Sequence, residues 1–262
     1  MILIVVAHPD DESFWFGGTI LILKNLGFKI TIVCLTLSND NKRSTEFKNA
    51  CKKMHVDGFI MDYSDKLDEG FLELNRELEL VLNNHQIRVN DLEYVITHSP
   101  NGNERSHPQH IKCFKLISEW THKNKINLGF FSEKLFSELR SYELEDNTGK
   151  IGFYRTVFNH EVILRNLIKI VIENIFSIKN LLYNLLKQIR LYITLNKYHY
   201  FVSIKTNLEQ KQALLQLYSS QIKGLKEYKT YFNNYEYLYL ERDNFWKKLK
   251  KRYAIYIKKT AS

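Results

Sequence analysis

Residues 2–12 read ILIVVAHPDDE, and this stretch decides the class of fold. Residues 2–6 form an unbroken apolar run rich in β-branched side chains, which is typical of a strand buried on both faces of a parallel sheet. One histidine and three carboxylates follow almost at once. By itself AHPDDE also fits an ordinary turn, because Pro and Asp are common turn residues. Motifs elsewhere in the chain are needed to distinguish a turn from a site with a chemical function.

Strand and helix patterns alternate along the first half of the chain. Four further runs predict strands, namely KITIVCLTL, GFIMDY, DLEYVITH and INLGFFS. Helical patterns lie between them, and in LDEGFLELNRELELVLNNHQI the apolar residues recur at three and four spacing. The alternation predicts an α/β fold with a Rossmann-like, doubly wound, mostly parallel sheet that carries helices on both faces.

The composition fits a globular protein in a reducing compartment. Apolar residues make up 44% of the chain and charged residues 26%, values that indicate neither a disordered chain nor a membrane bundle. The three cysteines show no CxxC spacing, so neither a disulfide framework nor a thiolate metal site is indicated. The first residues lack the basic region of a secretion signal, and no run reaches the ~18 apolar residues of a spanning helix. We therefore expect a cytoplasmic protein.

The charge changes along the chain and marks a second part. Residues 1–150 carry 18 Lys and Arg against 22 Asp and Glu, whereas residues 151–262 carry 20 against 7, a balance of +13. Polar residues recur at helical spacing between Glu161 and Ile193, and LEQKQALLQLYSSQI predicts a further helix. We predict an α/β domain over residues 1–150 and a basic, helical and aromatic-rich part over residues 151–262 that packs on it or extends it.

Histidines and carboxylates follow two strands of the predicted sheet at their carboxyl ends. His8 and Asp11 are three residues apart after the first strand, and His107 and His110 are three apart after the strand that ends at His98. Doubly wound sheets bind their ligands at this edge. Imidazole and carboxylate ligands that leave one position for water are typical of a catalytic zinc site. The alternative is that the SHPQH pair is surface and AHPDDE a turn.

These motifs resemble the PIG-L or LmbE-like family of zinc-dependent N-acetylglucosaminyl deacetylases. The shared features run in order through AHPDDE, GGTI, a strand ending in LT, an R-x-x-E pair at Arg43 and Glu46, THSP and SHPQH. This resemblance covers residues 1–130, and KQALLQLYSSQI is similar to a helix near the C-terminus of the family. The fold that the resemblance implies agrees with the one predicted from the strand and helix pattern.

The resemblance implies a role for each matched residue. His8, Asp11 and His110 would hold one Zn²⁺ ion, although such a ligand set accepts other divalent ions. Asp10 would be the general base, and His107 would assist the developing oxyanion.

Three more residues receive supporting roles. Arg43 would face the sugar or phosphate side of the substrate. Glu12 and His98 are expected to orient the metal ligands.

We therefore expect a hydrolase that removes the acetyl group from an N-acetylated amino sugar, in polysaccharide, glycolipid or natural-product biosynthesis. The sugar can be nucleotide-linked or lipid-linked. A related amidase that cleaves a larger sugar or thiol-conjugate amide is the first alternative. A non-enzymatic binding module or scaffold on the same fold is the second, although the turn after the first strand lacks the G-x-G-x-x-G of a dinucleotide site.

The basic second part suggests a peripheral contact with the inner membrane face, because amphipathic helices flanked by Lys and Arg bind anionic headgroups. Alternatively, its apolar stripe packs on the sheet or forms a homo-oligomer interface. No nucleic-acid partner is expected, because the basic residues are dispersed and no nucleic-acid module is recognisable.

Overall fold

The protein is described here by a computed structural model, which covers most of the first 132 residues and shorter stretches after them. The described residues are 1–64, 67, 71–102, 107–132, 140–147, 151–158, 167, 168, 170, 180, 182–186, 198, 200–205, 207–221, 235–241 and 243–260.

The strands found in these residues form one sheet. They are β1 (Ile2–Val6), β2 (Ile30–Thr36), β3 (Asp57–Tyr63), β4 (Tyr94–Thr97), β5 (Asn127–Ser132), β6 (Arg140–Asn147), β7 (Ile151–Phe158), β8 (Tyr200–Lys205) and β9 (Tyr235–Leu240). The labelled helices are α1 (Asp11–Phe14), α2 (Gly17–Asn25), α3 (Asn41–Met54), α4 (Phe71–Asn84), α5 (Pro108–Lys123), α6 (Leu208–Leu215) and α7 (Asp243–Thr260), and a 3₁₀ turn covers Val89–Asp91.

The strand order is β3-β2-β1-β4-β5-β9-β8-β7-β6. In this spatial order, the first five strands pair in parallel. The remaining pairings, β5 with β9, β9 with β8, β8 with β7 and β7 with β6, are antiparallel. From β1 the chain builds outward to β2 and β3, then returns to the other side of β1 with β4. The sheet therefore has a switch point between β1 and β4, where their carboxyl ends form a crevice.

Helices cover both faces of the parallel strands, which explains why β1 and β2 are buried at every residue. On one face α3, α6 and α7 contribute Phe47, Leu214 and Leu249 to the core. On the other face α4 and α5 contribute Leu78 and Trp120. A strand enclosed in this way requires a continuous apolar run, as the sequence of β1 shows.

Helix α7 is the basic tail of the sequence, and its apolar side belongs to the core. Phe245, Trp246, Leu249 and Tyr253 are all buried, at the spacing of one helical face. Outside this face, Lys247 and Lys251 are exposed and Lys248 is half-buried. The tail therefore packs on the sheet through its apolar residues.

The predicted α/β class, with a doubly wound sheet and helices on both faces, is confirmed. The five parallel strands and the helices between them lie where the sequence pattern placed them. None of the described helices is long and apolar enough to span a membrane.

The prediction for the second part omitted its strands. β7, β8 and β9 lie within residues 151–262, and β9 pairs with β5, so the sheet continues without a break from one part into the other. Most of the helical prediction between Glu161 and Ile193 lies outside the described residues; those described within it are helical. The division at residue 150 stays a prediction.

Candidate active site

The turn AHPDDE leaves the carboxyl end of β1 and is held by its own hydrogen bonds. The backbone N–H of His8 donates to Oδ2 of Asp11 at 2.8 Å. The N–H of Phe14 donates to the carbonyl of Asp10 at 2.8 Å and starts α1. Nδ1 of His8 lies 3.3 Å from Oδ2 of Asp11. The turn therefore brings an imidazole and a carboxylate together at the edge of the sheet.

The second histidine group arrives from the loop between β4 and α5. His98 follows β4 directly, and α5 begins at Pro108, a favoured residue at a helix start, so that His110 lies in its first turn. Nε2 of His110 lies 3.2 Å from Oδ1 of Asp11, and Nε2 of His98 lies 3.3 Å from Oδ2. The two loops, far apart in the sequence, therefore meet at one carboxylate.

Three of these residues can hold a metal ion together. His8, Asp11 and His110 each offer a ligand atom, and these atoms all lie within 4.8 Å of one another. Asp11 and His110 are buried, whereas the side chain of His8 is 13% exposed. Two imidazoles and one carboxylate suit Zn²⁺ and other divalent ions of the first transition row. The donor set fits the predicted ion.

The protonation states of this group also suit a metal ion. Burial lowers the pKa of His110 to about 4, against the opposing charge of Asp11, so its imidazole is neutral at pH 7. Burial disfavours the charged form of Asp11, but His110 and His98 outweigh it and hold the pKa of this carboxyl well below its usual value. Metal ions bind neutral imidazole and ionised carboxylate.

Asp10 lies beside the metal group with a different electrostatic environment. Burial and then the charge of Asp11 raise its pKa well above the usual value, while Arg43 opposes the rise. Nη2 of Arg43 donates to Oδ2 of Asp10 at 3.3 Å and to the carbonyl of Pro9 at 2.7 Å. A carboxyl with a raised pKa next to a candidate metal site is suited to accept and release a proton.

His107 immediately precedes α5 and faces the same group. Its ring centroid lies 4.4 Å from that of His110 and 5.3 Å from that of His8. The structure thus places all three histidines of the two motifs next to one another. The role predicted for His107 at an oxyanion stays a prediction.

Glu12 and His98 are both fully buried behind the metal group. Glu12 accepts the backbone N–H of Asp10 at 3.2 Å, and burial raises the pKa of its carboxyl. Nε2 of His98 accepts the N–H of Ala7 at 3.0 Å, and its ring stacks on that of His110 at 3.9 Å. Both are placed to orient the residues that they contact.

The segment after α6 contributes residues that the sequence did not predict for the site. The hydroxyl of Tyr218 donates to Oε1 of Glu12 at 2.5 Å. The hydroxyl of Ser219 and the N–H of Ser220 each donate to Oε1 of Glu46 at 2.9 Å, and the hydroxyl of Ser220 donates to Oε2. The similarity of KQALLQLYSSQI to a family helix was a signal for this segment, but it did not reveal these contacts.

A buried ion pair joins α6 to β9, and its carboxylate also contacts the start of α2. Nζ of Lys211 lies 2.7 Å from Oε1 of Glu236, and the two side chains are 6% and 3% exposed. Glu236 also accepts the N–H of Gly18 at 3.2 Å, and the N–H and hydroxyl of Thr19 at 2.6 Å each. The carboxylate therefore caps the start of α2, where backbone N–H groups favour negative charge.

Trp15 is another residue that sequence reasoning missed. Its indole N–H donates to Oδ1 of Asp11 at 3.2 Å, and its ring lies edge-on to that of His110 at 6.3 Å. A tryptophan inside an apolar run gives no signal of such a contact.

Fold and site together define an α/β protein with a candidate metal centre at the switch point of its sheet. Residues 3–121 match the family described as PIG-L: GlcNAc-PI de-N-acetylase. The resemblance seen in the sequence is confirmed.

Two curated relatives match shorter stretches. One is the probable N-acetyl-alpha-D-glucosaminyl L-malate deacetylase 2 of Bacillus cereus, 32% identical over 82 residues that cover 25% of this chain and 37% of the relative. The other is the 1D-myo-inositol 2-acetamido-2-deoxy-alpha-D-glucopyranoside deacetylase of Actinosynnema mirum, 46% identical over 41 residues, or 16% of this chain and 14% of the relative. The matches thus span well under half of either relative.

Among solved structures, the N,N'-diacetylchitobiose deacetylase from Pyrococcus horikoshii aligns with 49% of this chain and 59% of its own, at 20% identity and a TM-score of 0.39.

Proposed function

We propose that the protein is a zinc-dependent hydrolase that removes the acetyl group from an N-acetylated amino sugar. The convergence of His8, Asp11 and His110 at the ends of β1 and β4, with Asp10 beside them, carries the proposal. The match of residues 3–121 to the PIG-L: GlcNAc-PI de-N-acetylase family supports deacetylation, and both relatives are named as deacetylases of glucosamine derivatives.

The residues divide the chemistry of amide hydrolysis between them. When bound, the zinc ion supplies a Lewis acid that activates water and polarises an amide carbonyl. Asp10 takes a proton as water adds to the carbonyl carbon, and delivers it to the nitrogen as the C–N bond breaks, which leaves acetate and the free amine. His107 donates to the oxygen that gains negative charge, a contribution of typically ~10²- to 10³-fold in rate.

Arg43 is proposed to contact the sugar or its phosphate while it holds Asp10. Nη2 donates to Asp10 and to the carbonyl of Pro9, and the Arg43 side chain as a whole is 18% exposed. A guanidinium with donors left over can bind an oxygen-rich ligand.

Acetate release from a panel of acetamidosugars tests the proposal. The panel contains free N-acetylglucosamine and its malate, inositol, nucleotide-diphosphate and lipid-linked forms, each assayed with zinc-loaded protein. Asp10→Asn should retain its zinc and lose nearly all turnover. Asp57→Asn is the matched control, because Asp57 is an exposed carboxylate at the amino end of β3, whereas the candidate site lies at the carboxyl ends of the strands.

The outcomes separate the parts of the proposal. Acetate from none of the sugars would reject the deacetylase, and release of a larger acyl group from a sugar or thiol conjugate would favour the related amidase. A native rate in Asp10→Asn would reject this residue as the base. Removal of zinc by a chelator without loss of turnover would reject the metal.

We also propose that the protein is cytoplasmic and contacts anionic lipid at the inner membrane face. The apolar side of α7 is used by the core, so we assign the contact to residues 182–186, where Leu182, Tyr183 and Leu186 are 55%, 68% and 55% exposed. The +13 balance of residues 151–262 favours anionic headgroups. Co-sedimentation with anionic vesicles at low salt should be lost in Tyr183→Ser. A homo-oligomer through this surface, seen by light scattering without vesicle binding, would replace the proposal.

A further inference from the structure

Asp10 has a backbone conformation that needs support. Its φ of 118° and ψ of −28° lie in a region that side chains other than glycine rarely adopt. Such a conformation persists only where the surroundings hold it in place. On its carbonyl side, the N–H groups of Ser13 and Phe14 donate to the Asp10 oxygen at 3.0 and 2.8 Å. On its amide side, the partner is Oε2 of Glu12.

Glu12 can support Asp10 only while its own carboxylate is fixed. Oε1 of Glu12 accepts the hydroxyl of Ser13 at 2.6 Å and that of Tyr218 at 2.5 Å. Ser13 is the neighbouring residue and moves with the same turn. Tyr218 is 206 residues away in the sequence and fully buried. It is therefore the contact that anchors Glu12 to a separate part of the fold.

Tyr218 is itself held in place. It belongs to the large core cluster together with Leu214 of α6. The neighbouring serines donate to Glu46 on α3, which ties the segment after α6 to a second element of the α/β domain. A hydroxyl fixed in this way defines where the carboxylate of Glu12 can lie.

We propose that Tyr218 is a positioning residue that acts through Glu12 on the backbone of Asp10, and so aims the Asp10 carboxylate at the reacting water. This inference rests on the proposed function, in which Asp10 moves the proton. Loss of the hydroxyl leaves a buried carboxylate with one donor fewer on Oε1 and frees it to turn away from the Asp10 amide. A small misplacement of a catalytic group costs on the order of 10²-fold in rate.

The test compares Tyr218→Phe with Tyr94→Phe. Tyr94 is an equally buried tyrosine whose hydroxyl accepts the N–H of Glu241 at 3.0 Å, at the opposite end of β4 from the site. Both variants lose one buried hydroxyl, so a general loss of stability affects both. We expect Tyr218→Phe alone to lower kcat on the order of 10²-fold with KM within about twofold and unchanged zinc content.

A second readout does not depend on turnover. Hydrogen–deuterium exchange of the Asp10 amide should become faster in Tyr218→Phe and stay unchanged in Tyr94→Phe. A native kcat, or a rise in KM without a fall in kcat, would overturn the proposal. If the parent protein hydrolyses no acetamidosugar, the proposed function fails by itself. Unchanged exchange of the Asp10 amide would then overturn the inference, and faster exchange would keep its structural part. If Tyr218→Phe does not fold, Ser13→Ala is measured in its place. It leaves Tyr218 as the remaining described donor to Oε1, so the Asp10 amide should exchange at the native rate, and faster exchange would overturn the proposal.

Discussion

The buried pair of Lys211 and Glu236 allows a prediction with a definite order of effects. Glu236→Gln leaves the ammonium of Lys211 buried without a counter-charge. The amide also offers one acceptor oxygen where the carboxylate offers two, so its NH₂ group must face either Lys211 or the N–H groups that start α2. Breaking a buried pair by removing one partner costs about 3–5 kcal/mol, and we expect this range for Glu236→Gln.

Lys211→Met should cost less. The carboxylate of Glu236 keeps its bonds from Gly18 and Thr19, and it still faces the positive end of the α2 dipole. The methionine also replaces much of the aliphatic stem of the lysine. We expect a loss of about 1–3 kcal/mol in the free energy of unfolding.

Urea unfolding followed by circular dichroism measures both losses, with the slope unchanged if the unfolded states are alike. Lys248→Met is the matched control. The pair of Lys248 and Glu93 joins the same residue types, but the side chains are 37% and 47% exposed. An exposed pair of this kind contributes less than about 1 kcal/mol. Equal losses of unfolding free energy for Lys211→Met and Glu236→Gln would refute the proposal that the start of α2 stabilises the Glu236 carboxylate. Losses as small as that of Lys248→Met would refute the burial of the Lys211 and Glu236 pair.

Three further predictions concern the site and its supports. Trp15→Phe removes the N–H that Asp11 accepts, and the affinity for zinc should fall about 10- to 100-fold in competition with a chelator. Burial opposes the charge on Glu46, but hydrogen bonds, chiefly from Ser220, lower the pKa of this carboxyl below 4.5. The hydrogen bonds to the ionised Glu46 carboxylate therefore stabilise the fold above pH 4.5, and this stabilisation is lost as pH falls through the pKa of Glu46 in the folded protein. Ser220→Ala should lower the free energy of unfolding by about 1.5–3 kcal/mol at pH 7 and by progressively less in acid, as measured by urea unfolding. Zinc at 100 times its Kd should add about 2.7 kcal/mol to the stability of the parent, measured as a rise in Tm, and nothing to His110→Ala.

The control for Trp15→Phe is Trp120→Phe. The indole nitrogen of Trp120 is buried with no hydrogen-bond partner among the described residues, so its removal breaks no such bond. Native zinc affinity in Trp15→Phe would contradict the first prediction. A stability difference for Ser220→Ala that stays constant down to pH 3 would contradict the second. A zinc-induced rise in the Tm of His110→Ala equal to that of the parent would contradict the third.

The sequence predicted the parallel half of the sheet because its strands are unbroken apolar runs enclosed by helices. The antiparallel strands gave no such signal. In YEYLYL of β9, tyrosines alternate with Glu236 and leucines, a period of two that indicates a strand but was interpreted only as an aromatic stretch; its place in the sheet is set by pairing with β5 and β8. These pairings join residues far apart in the chain, which local patterns do not encode.

The same distinction holds for the site. His8, Asp11 and His110 were predictable because each lies in a short motif next to the end of a strand. The contact of Tyr218 with Glu12 was not, because a hydroxyl that reaches a carboxylate across 206 positions leaves no local pattern. Trp15 was missed because its ring fits an apolar run equally well.

The position of β9 has a consequence for synthesis on the ribosome. The five parallel strands are complete once Ser132 has emerged, yet the neighbour that covers β5 begins only at Tyr235. Until then the nascent domain presents β5 as an unpaired, largely apolar edge, the kind of surface that recruits foreign strands. Slow translation between these two points should therefore favour aggregation, and a chaperone that shields this edge should raise the yield of folded protein.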